Sequence, residues 1–248
     1  WWSFFTAATG WALNMISLWV TRFLFGAGEA GCFPNLTKAF TTWLPADERV
    51  RAQGIMWSFA RWGGAFTPPL VIVVFEWFNW RQAFMLFGGL GLVWCGFFWT
   101  WYKDNPRHHK SVNEAELALL AGSEKMASGH GDVPWLRLLS SKTVWGLWGQ
   151  YFFVSYPWYF YITWLPTYLQ KFRGLSPEYA AKLAIFPLFF GGLGCLLGGF
   201  IAPDLARRLG SVRKARRLMG YIGCLGAGLM LLVHASLIDP FWAMVAMG

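Results

Sequence analysis

The residues that could carry chemistry are ionisable side chains inside long apolar runs. Arg22 and Glu29 both lie in TRFLFGAGEAGCFPN, residues 21–35, a stretch that is otherwise apolar and rich in glycine. A charged side chain at the centre of a bilayer costs about 2.5–3.5 kcal/mol on insertion scales, so it requires a partner, a cavity or a function. Their spacing corresponds to almost two helical turns and a rise of about 10.5 Å. The two side chains therefore share a helix face but are too far apart for a close ion pair.

Two interpretations of these charges stay open. In the functional one, Arg22 binds an anion or gates a pathway, and Glu29 is a titratable carboxylate that carries a proton. In the structural one, each charge pairs with a residue elsewhere in the membrane. Arg61, in SFARWGGAFTPP, poses the same choice between a substrate contact and a buried pair. A guanidinium suits a carboxylate because it binds both oxygens at once.

A third group of polar side chains lies in GQYFFVSYPWYFYITWLPTYL, residues 149–169. Tyrosines near helix ends usually anchor a helix at the membrane interface, whereas those in the middle favour a wet lumen. We predict that Gln150 and Tyr156 line such a lumen and contact a hydroxyl-rich substrate. The sequence shows no nucleophile elbow, phosphate-binding loop, paired catalytic carboxylates or metal-ligand spacing. We therefore expect no enzyme, no cofactor and no metal site.

Composition identifies the elements that must position these side chains as membrane helices. The 248 residues are 56% hydrophobic and 13% charged, against about 25% charged in soluble domains. Apolar runs of about 20 residues match the thickness of a bilayer. We predict an all-α, polytopic membrane protein with a tail at 1–9, a further helix from 240, and spans at 12–42, 52–76, 80–102, 142–170, 179–203 and 216–237.

The basic residues follow an alternating pattern between these runs. Alternate connections hold 15 lysines and arginines on one side and 4 on the other, so the positive-inside rule assigns the richer side to the cytoplasm. These 19 leave only Arg22 and Arg61 of the 21 basic residues outside a connection. Topology thus accounts for the net charge of +9, and we expect a lipid bilayer and no nucleic acid as partner.

The longest polar stretch, 103–141, predicts the domain organisation. It separates helical groups at 1–102 and 142–248 and reads as a cytoplasmic linker. Within it, SVNEAELALLAGSEK predicts a short amphipathic helix with Ser111 as N-cap and Glu114 completing a capping box. The chain begins without Met and stops inside an apolar run, so we expect an internal piece of a longer protein.

Several of these stretches resemble one transporter family. RFLFGAGEAGCFPN followed by TTWLPADERVRAQGI resembles helix four and the next cytoplasmic loop of the anion:cation symporters in the major facilitator superfamily. That group includes bacterial galactonate and glucarate transporters, sialin and the vesicular glutamate transporters. NWRQAFMLFGGLGLVWCGFFW resembles their helix six, and residues 149–169 resemble their helix seven. The resemblance covers the chain from the end of helix three into helix ten.

A loop signature of the superfamily is matched as well. GGFIAPDLARRLGS followed by RKARR resembles the second copy of the signature, between helices eight and nine. The residues at the matching positions are Gly199, Asp204, Arg207 and Arg208. The resemblance implies that they form a conformational gating loop. It further implies two six-helix halves and alternating access around a midplane site, with Arg22 and Glu29 as the proton-coupling pair.

The resemblance also sets the expected function. We expect a secondary active transporter, without enzymatic activity, that carries sugar acids or small carboxylates together with a proton. We further expect a monomer in a bacterial inner membrane. The helix-seven arginine of the vesicular glutamate transporters falls on Val154, which argues against a glutamate-specific site, and Arg61 departs from the galactonate pattern. The alternatives are a non-transporting membrane sensor and a drug/proton antiporter, whose cations Arg22 and Arg61 would repel.

Overall fold

The computed structural model of the chain describes residues 1–120 and 134–248, and in these ranges all regular secondary structure is helical. The first range contains α1 (Trp2–Thr9), α2 (Met15–Glu29), α3 (Cys32–Trp43), α4 (Arg49–Trp77), α5 (Trp80–Trp101), a 3₁₀ turn (Pro106–His108) and α6 (Glu114–Leu120). The second contains α7 (Trp135–Leu139), α8 (Lys142–Tyr159), a π turn (Phe160–Trp164), α9 (Leu165–Lys171), α10 (Pro177–Leu183), α11 (Ile185–Arg208), α12 (Val212–Ser236) and α13 (Pro240–Met247). The all-α prediction is confirmed.

Four helical segments of the described chain are long and apolar enough to cross a membrane. They are Arg49–Trp77, Trp80–Trp101, Pro177–Arg208 and Val212–Ser236. Large apolar side chains on these helices point outward; Val93 is 74% exposed and Trp99 81%. Such exposure suits a lipid-facing surface and would be costly in water. The multi-pass membrane prediction is therefore confirmed.

The predicted single helix over 12–42 is wrong, because the chain forms α2 and α3 with a break at Ala30 and Gly31. The start of α2 is set by Asn14, whose side chain accepts a hydrogen bond from the backbone N–H of Ser17 at 2.8 Å. Pro34 explains the break, since it has no N–H to donate to the carbonyl of Ala30 and its ring crowds that carbonyl. Glu29 consequently becomes the last residue of α2.

Proline also interrupts the run predicted at 142–170. Pro157 lies inside α8 and Pro166 in the first turn of α9, and between them Phe160–Trp164 form a π turn. Each proline removes one backbone donor from the helix, and π turns commonly form where the regular ladder is interrupted. The run is therefore three consecutive helical pieces rather than one straight span.

The helix predicted in the polar loop is present as α6, but its N-cap differs from the expected one. Asn113 accepts from the N–H of Glu116 at 2.9 Å, and Glu116 accepts from the N–H of Asn113 at 3.2 Å. This reciprocal pair is a capping box two residues beyond the predicted Ser111. The C-terminal part of the predicted helix, at 121–125, lies outside the described residues.

By internal contacts the chain divides into two compact units. The first is Trp1–Arg49 with the described part of Leu70–Gly129, and the second is Val50–Pro69 with the described part of His130–Gly248. The boundary inside α4 thus follows the Pro68–Pro69 pair. The predicted division of the chain at 103–141 stays a prediction.

In the first unit, α1 packs against α2 and α5. The contact with α5 is very close: a Cβ at Gly88 would lie 2.6 Å from the Cβ of Ala7. Arg81, near the start of α5, donates to the carbonyls of Gly10 and Ala12 at the end of α1. These contacts fix the end of α1, where Thr9 is buried.

In the second unit, the core joins α9, α10 and α13. Its buried members are Leu165, Leu169, Ala180, Leu183, Ala184, Ala243 and Met244. The stretch Val50–Pro69 packs on α11 at a glycine contact, where a Cβ at Gly54 would lie 2.8 Å from the Cα of Gly199. Only paired glycines permit backbones to approach this closely.

Candidate functional site

Arg22 is held by three neighbours in the first unit. Its guanidinium donates a short hydrogen bond to the hydroxyl of Thr9, and that hydroxyl donates in turn to the carbonyl of Phe5 at 2.8 Å. The guanidinium carbon lies 4.6 Å from the ring centre of Phe25 and 5.2 Å from that of Phe84. Thr9 is 1% exposed. A buried hydroxyl and two aromatic faces therefore orient the positive charge.

The described residues leave part of the Arg22 guanidinium without a partner. Its Nε atom is buried and has no hydrogen-bond acceptor there. Among the described ion pairs, none joins Arg22 to Glu29. Glu29 is exposed at the end of α2, next to the helix break. Since a guanidinium has five N–H donors, Arg22 keeps the capacity to bind the oxygens of an anion.

Arg61 has a different environment, in the second unit. Its Nε donates to the sulfur of Cys195 on α11 at 3.1 Å, and its guanidinium carbon lies 4.7 Å from the ring centre of Trp158 on α8. A thiol is a weak acceptor, and the described part of the chain gives Arg61 no carboxylate partner. The aromatic ring orients the guanidinium, and the N–H groups of its terminal nitrogens remain available to donate hydrogen bonds.

The helix that carries Arg61 is fixed to α11 by polar contacts. The hydroxyl of Ser58 donates to the carbonyls of Gly54 at 2.7 Å and Gly192 at 2.8 Å. The indole N–H of Trp62 donates to the carbonyl of Phe189 at 3.1 Å. Ser58 is fully buried. These bonds flank Arg61 on both sides along α4 and so fix its position.

Of the two residues predicted to line a lumen, Tyr156 lies on a concave surface and Gln150 does not line it. A cavity of about 320 Å³ is lined by Phe152, Ser155, Tyr156, Tyr159, Phe160 and Trp164. The members on α8 recur every three or four residues and so share one helix face. Tyr156 contributes a hydroxyl to this surface. Gln150 is exposed on the same helix and is not among the lining residues.

The residues of the predicted gating loop lie in a helix rather than in a loop, because α11 continues to Arg208. They form an ion pair and a close helix contact there. Asp204 accepts from Arg207 at 2.6 Å, and an Arg51 nitrogen lies 3.9 Å from the same carboxylate oxygen. Gly199 provides the close contact with Gly54. Arg208, one turn beyond Asp204, is exposed. The acid thus connects the end of α11 to the start of α4.

Four neighbours of the predicted site residues carry no signal in the sequence. They are Thr9, Arg51, Trp158 and Cys195. Their importance comes from contacts between helices that are far apart in the chain; Arg61 and Cys195, for example, are separated by 134 positions. Hydrophobic periodicity indicates which face of a helix is apolar but not which helix it meets.

Comparison with known proteins finds a family and relatives that match along the chain. The family model described as the Major Facilitator Superfamily matches residues 1–248. The chain is 37% identical over 234 residues to a Cupriavidus necator protein named "Probable sulfoacetate transporter", covering 91% of the chain and 53% of that protein. It is 30% identical over 235 residues to the D-galactonate transporter of Escherichia coli (89% and 54%) and 29% identical over 256 residues to the chloroplastic ascorbate transporter of Arabidopsis thaliana (100% and 46%). The chain spans about half the length of these relatives.

Proposed function

Because this chain belongs to the Major Facilitator Superfamily, we propose that it is part of a secondary active transporter of small organic anions. The observation that carries the proposal is Arg22, a guanidinium inside an apolar helix whose described contacts are a hydroxyl and two aromatic rings. A purely structural arginine in a membrane pairs with an acid or with backbone carbonyls, and the described residues give Arg22 neither. An arginine held by neutral groups instead keeps its charge for a bound anion.

Arg61 is proposed as a further anion contact. Trp158 stabilises its positive charge without neutralising it, because an aromatic ring attracts the cation through its quadrupole. The weak thiol acceptor at Cys195 leaves the terminal nitrogens available for the paired oxygens of a carboxylate or sulfonate. Within the second unit, this arrangement supports recognition of a planar or tetrahedral oxyanion.

The proposed substrate class is sugar acids, small carboxylates and their sulfonated analogues. Hydroxyl-bearing substrates would find hydrogen-bonding partners at Tyr156 and Gln150 on α8, the former on the concave surface. The names of the relatives, which concern sulfoacetate, galactonate and ascorbate, support an anionic substrate. A hydrophobic cation is a poorer candidate, because each of the two guanidiniums has no carboxylate partner among the described residues and would repel it.

Proton coupling is proposed to reside at Glu29. The carboxylate lies on the same helix as Arg22 and beside the break between α2 and α3, where the backbone can change direction. Protonation would remove its negative charge and so alter its attraction to Arg22 during the cycle. At the cytoplasmic side, Gly199, Asp204, Arg207 and Arg208 are proposed to gate the change in access, with the ion pair to Arg51 breaking and forming as the helices move.

The proposed setting is a bacterial plasma membrane, with the protein as a monomer. Bacterial relatives support this location, and other relatives carry chloroplastic names. The test is uptake by the full-length protein in proteoliposomes. The panel comprises hexonates, hexuronates, tartrate, dicarboxylates and sulfoacetate, with an inward proton gradient imposed or collapsed. Accumulation that disappears with the gradient supports the proposal, and failure to take up any acid overturns it.

Glu29→Gln separates transport from coupling. We expect the variant to lose gradient-driven accumulation while still exchanging labelled for unlabelled substrate across the membrane. Glu76→Gln, which removes an exposed carboxylate near the end of α4, is the matched control and should behave like the unaltered protein. If Glu29→Gln still concentrates substrate under a proton gradient, the coupling role is lost and Glu29 becomes a structural residue.

A further inference from the structure

The connection between α11 and α12 has a higher density of positive charge than the other connections assigned to its side of the membrane. Six of the eleven residues from 207 to 217 are basic: Arg207, Arg208, Arg213, Lys214, Arg216 and Arg217, here called the cationic strip. The connection from α3 to α4, assigned to the same side, contains Lys38, Arg49 and Arg51. A few dispersed cations are enough to orient a span. The density of the strip therefore calls for a separate explanation.

The strip works against the stability of its own helix. Arg213, Lys214, Arg216 and Arg217 occupy the first two turns of α12, whose first turn contains no acidic residue. The N-terminal end of a helix dipole is positive and repels cations. Arg213 and Arg217 are also four residues apart, so their like charges lie on one face and repel each other. All four side chains are exposed.

The described chain offers these cations almost no counter-charge. Asp204 is the nearest acid in the sequence, and it is engaged by Arg207 and Arg51. No acidic residue follows it before Asp239. In the described residues, no ion pair reaches Arg208 or the four cations of α12. Among the described residues the strip therefore has no acidic partner beyond Asp204, and its charge is available to anions from outside.

The position of the strip between two apolar helices indicates that lipid headgroups are the source of these anions. It joins two helices that are each long and apolar enough to span a membrane, and Gly210, at φ +60°, makes the turn between them. The strip consequently lies where a span meets the headgroup region. Leu209, Val212 and Leu218 interrupt the cations and are all exposed, which suits a surface in contact with lipid.

A groove beside the strip has the polarity of a phospholipid. Its volume is about 300 Å³, and it is lined by Phe200, Ile201, Asp204, Leu205 and Arg208. The apolar residues lie toward the middle of α11, and Arg208 lies at its end. An acyl chain against the apolar wall would place its phosphate beside Arg208 and the first turns of α12, because Arg and Lys extend their charged ends toward the interface.

We propose that the cationic strip binds the phosphate of an anionic phospholipid of the cytoplasmic leaflet, with an acyl chain in the groove under Arg208. Clusters of basic residues immediately cytoplasmic to a span attract anionic lipids. The four cations of α12 are not among the residues proposed to gate transport, so a test that changes only these four does not depend on the proposed transport function. It assigns to this protein a lipid partner of stated chemistry.

The test measures lipid retention by the full-length protein. Protein in nanodiscs of mixed phosphatidylglycerol and phosphatidylcholine is extracted, and the bound lipid is identified by native mass spectrometry. The cluster variant carries Arg213→Gln, Lys214→Gln, Arg216→Gln and Arg217→Gln. Its matched control carries Lys38→Gln, Lys103→Gln, Lys110→Gln and Lys142→Gln, which removes the same charge from exposed, dispersed positions on the same side.

We expect the cluster variant to retain about tenfold less phosphatidylglycerol than the control variant, with phosphatidylcholine unchanged. The retention of phosphatidylglycerol by the unaltered protein should also fall as salt increases. Equal retention by the two variants overturns the proposal, because net charge rather than the strip would then govern binding. Displacement of the lipid by millimolar inorganic phosphate also overturns it, since the strip would then be a site for soluble anions.

A second measurement does not require a folded variant. A phosphatidylglycerol analogue with a photoactivatable acyl chain is incorporated with the unaltered protein and irradiated, and the adducts are mapped by peptide mass spectrometry. Adducts concentrated between residues 200 and 218 are expected. Adducts distributed evenly over all lipid-facing helices would contradict a specific site, whatever the variants show.

Discussion

The contact between Gly54 and Gly199 gives a prediction whose size follows from the structure. A Cβ added at Gly199 would lie 2.9 Å from the Cα of Gly54 and 3.3 Å from the carbonyl oxygen of Val50. Both are backbone atoms, so the two helices must separate in Gly199→Ala. Gly198→Ala is the matched control, because its Cβ would meet only the flexible end of Met219 at an ordinary 3.7 Å.

The two variants share one contribution to the free energy of unfolding and differ in a second one. Each gains about 0.5–1 kcal/mol because alanine favours a helix interior over glycine. Only Gly199→Ala incurs the cost of overpacking, about 1–3 kcal/mol, as the separation also strains the bond from Ser58 to the carbonyl of Gly192. The difference between the variants is thus the overpacking cost itself. A change of 1 kcal/mol shifts the unfolding temperature by about 2–4 °C for 150–250 residues and by about half as much for a protein twice as long. Gly199→Ala should therefore unfold about 1–6 °C below Gly198→Ala in the full-length protein.

The assay is thermal unfolding of the full-length protein in detergent, followed by intrinsic tryptophan fluorescence. Both variants are compared at the same protein and detergent concentrations. We expect Gly198→Ala to unfold at or slightly above the temperature of the unaltered protein. Equal unfolding temperatures for Gly199→Ala and Gly198→Ala would refute the reasoning, because the two helices would then not approach as closely as described.

Three further predictions concern contacts of the site residues, and each is checked by uptake kinetics in proteoliposomes. Thr9→Val removes the hydroxyl that binds Arg22; because a hydrogen bond to a charged group contributes about 1.5–3 kcal/mol, KM for the anion should rise about tenfold or more, and an unchanged KM would contradict the role of Thr9. Trp158→Leu removes the aromatic face under Arg61, worth about 0.5–2 kcal/mol, so KM should rise by about two- to thirtyfold, whereas Trp158→Phe keeps a ring and should change it less. Asp204→Asn breaks two exposed ion pairs, so the unfolding temperature should change little while the maximal rate falls; a full rate would remove Asp204 from the gate.

Much of the helical architecture could be predicted because apolar runs and N-cap residues indicate the same helix boundaries. The spans expected at 52–76 and 80–102 correspond to α4 and α5, and the boundary between them is fixed locally by Asn79, whose side chain accepts from the N–H of Gln82 at 3.0 Å. An apolar run that ends at a good N-cap leaves little freedom for the helix start. The run at 12–42 was misjudged because its apolar character continues through Pro34, whose missing N–H breaks the helix without interrupting the hydrophobic pattern.

The candidate site could be predicted only as far as its charges. Arg22 and Arg61 stand out because charge is rare in apolar runs and expensive in a bilayer. The residue types of their neighbours are common in apolar runs, so they do not stand out in the sequence. Thr9 and Cys195 are small residues among many, and Trp158 is one of 18 tryptophans. Which of them meets a guanidinium depends on how helices pack, and that information lies in pairwise contacts across the chain rather than in local composition.

Five arginines of this protein form two groups that differ in what surrounds them, and replacement by lysine should affect the two groups differently. Arg22 and Arg61 lie against aromatic rings with directed hydrogen bonds, so their proposed binding of an anion depends on the planar, forked shape of the guanidinium. Arg213, Arg216 and Arg217 are exposed, and their proposed attraction for a lipid phosphate depends more on the amount of charge than on its shape. Replacing Arg22 or Arg61 by lysine should therefore impair anion uptake even though the charge is kept, whereas Arg213→Lys, Arg216→Lys and Arg217→Lys together should retain phosphatidylglycerol. Loss of lipid from the triple lysine variant would show that the phosphate is bound through the forked guanidinium, and the amount of charge alone would then not account for the retention of lipid.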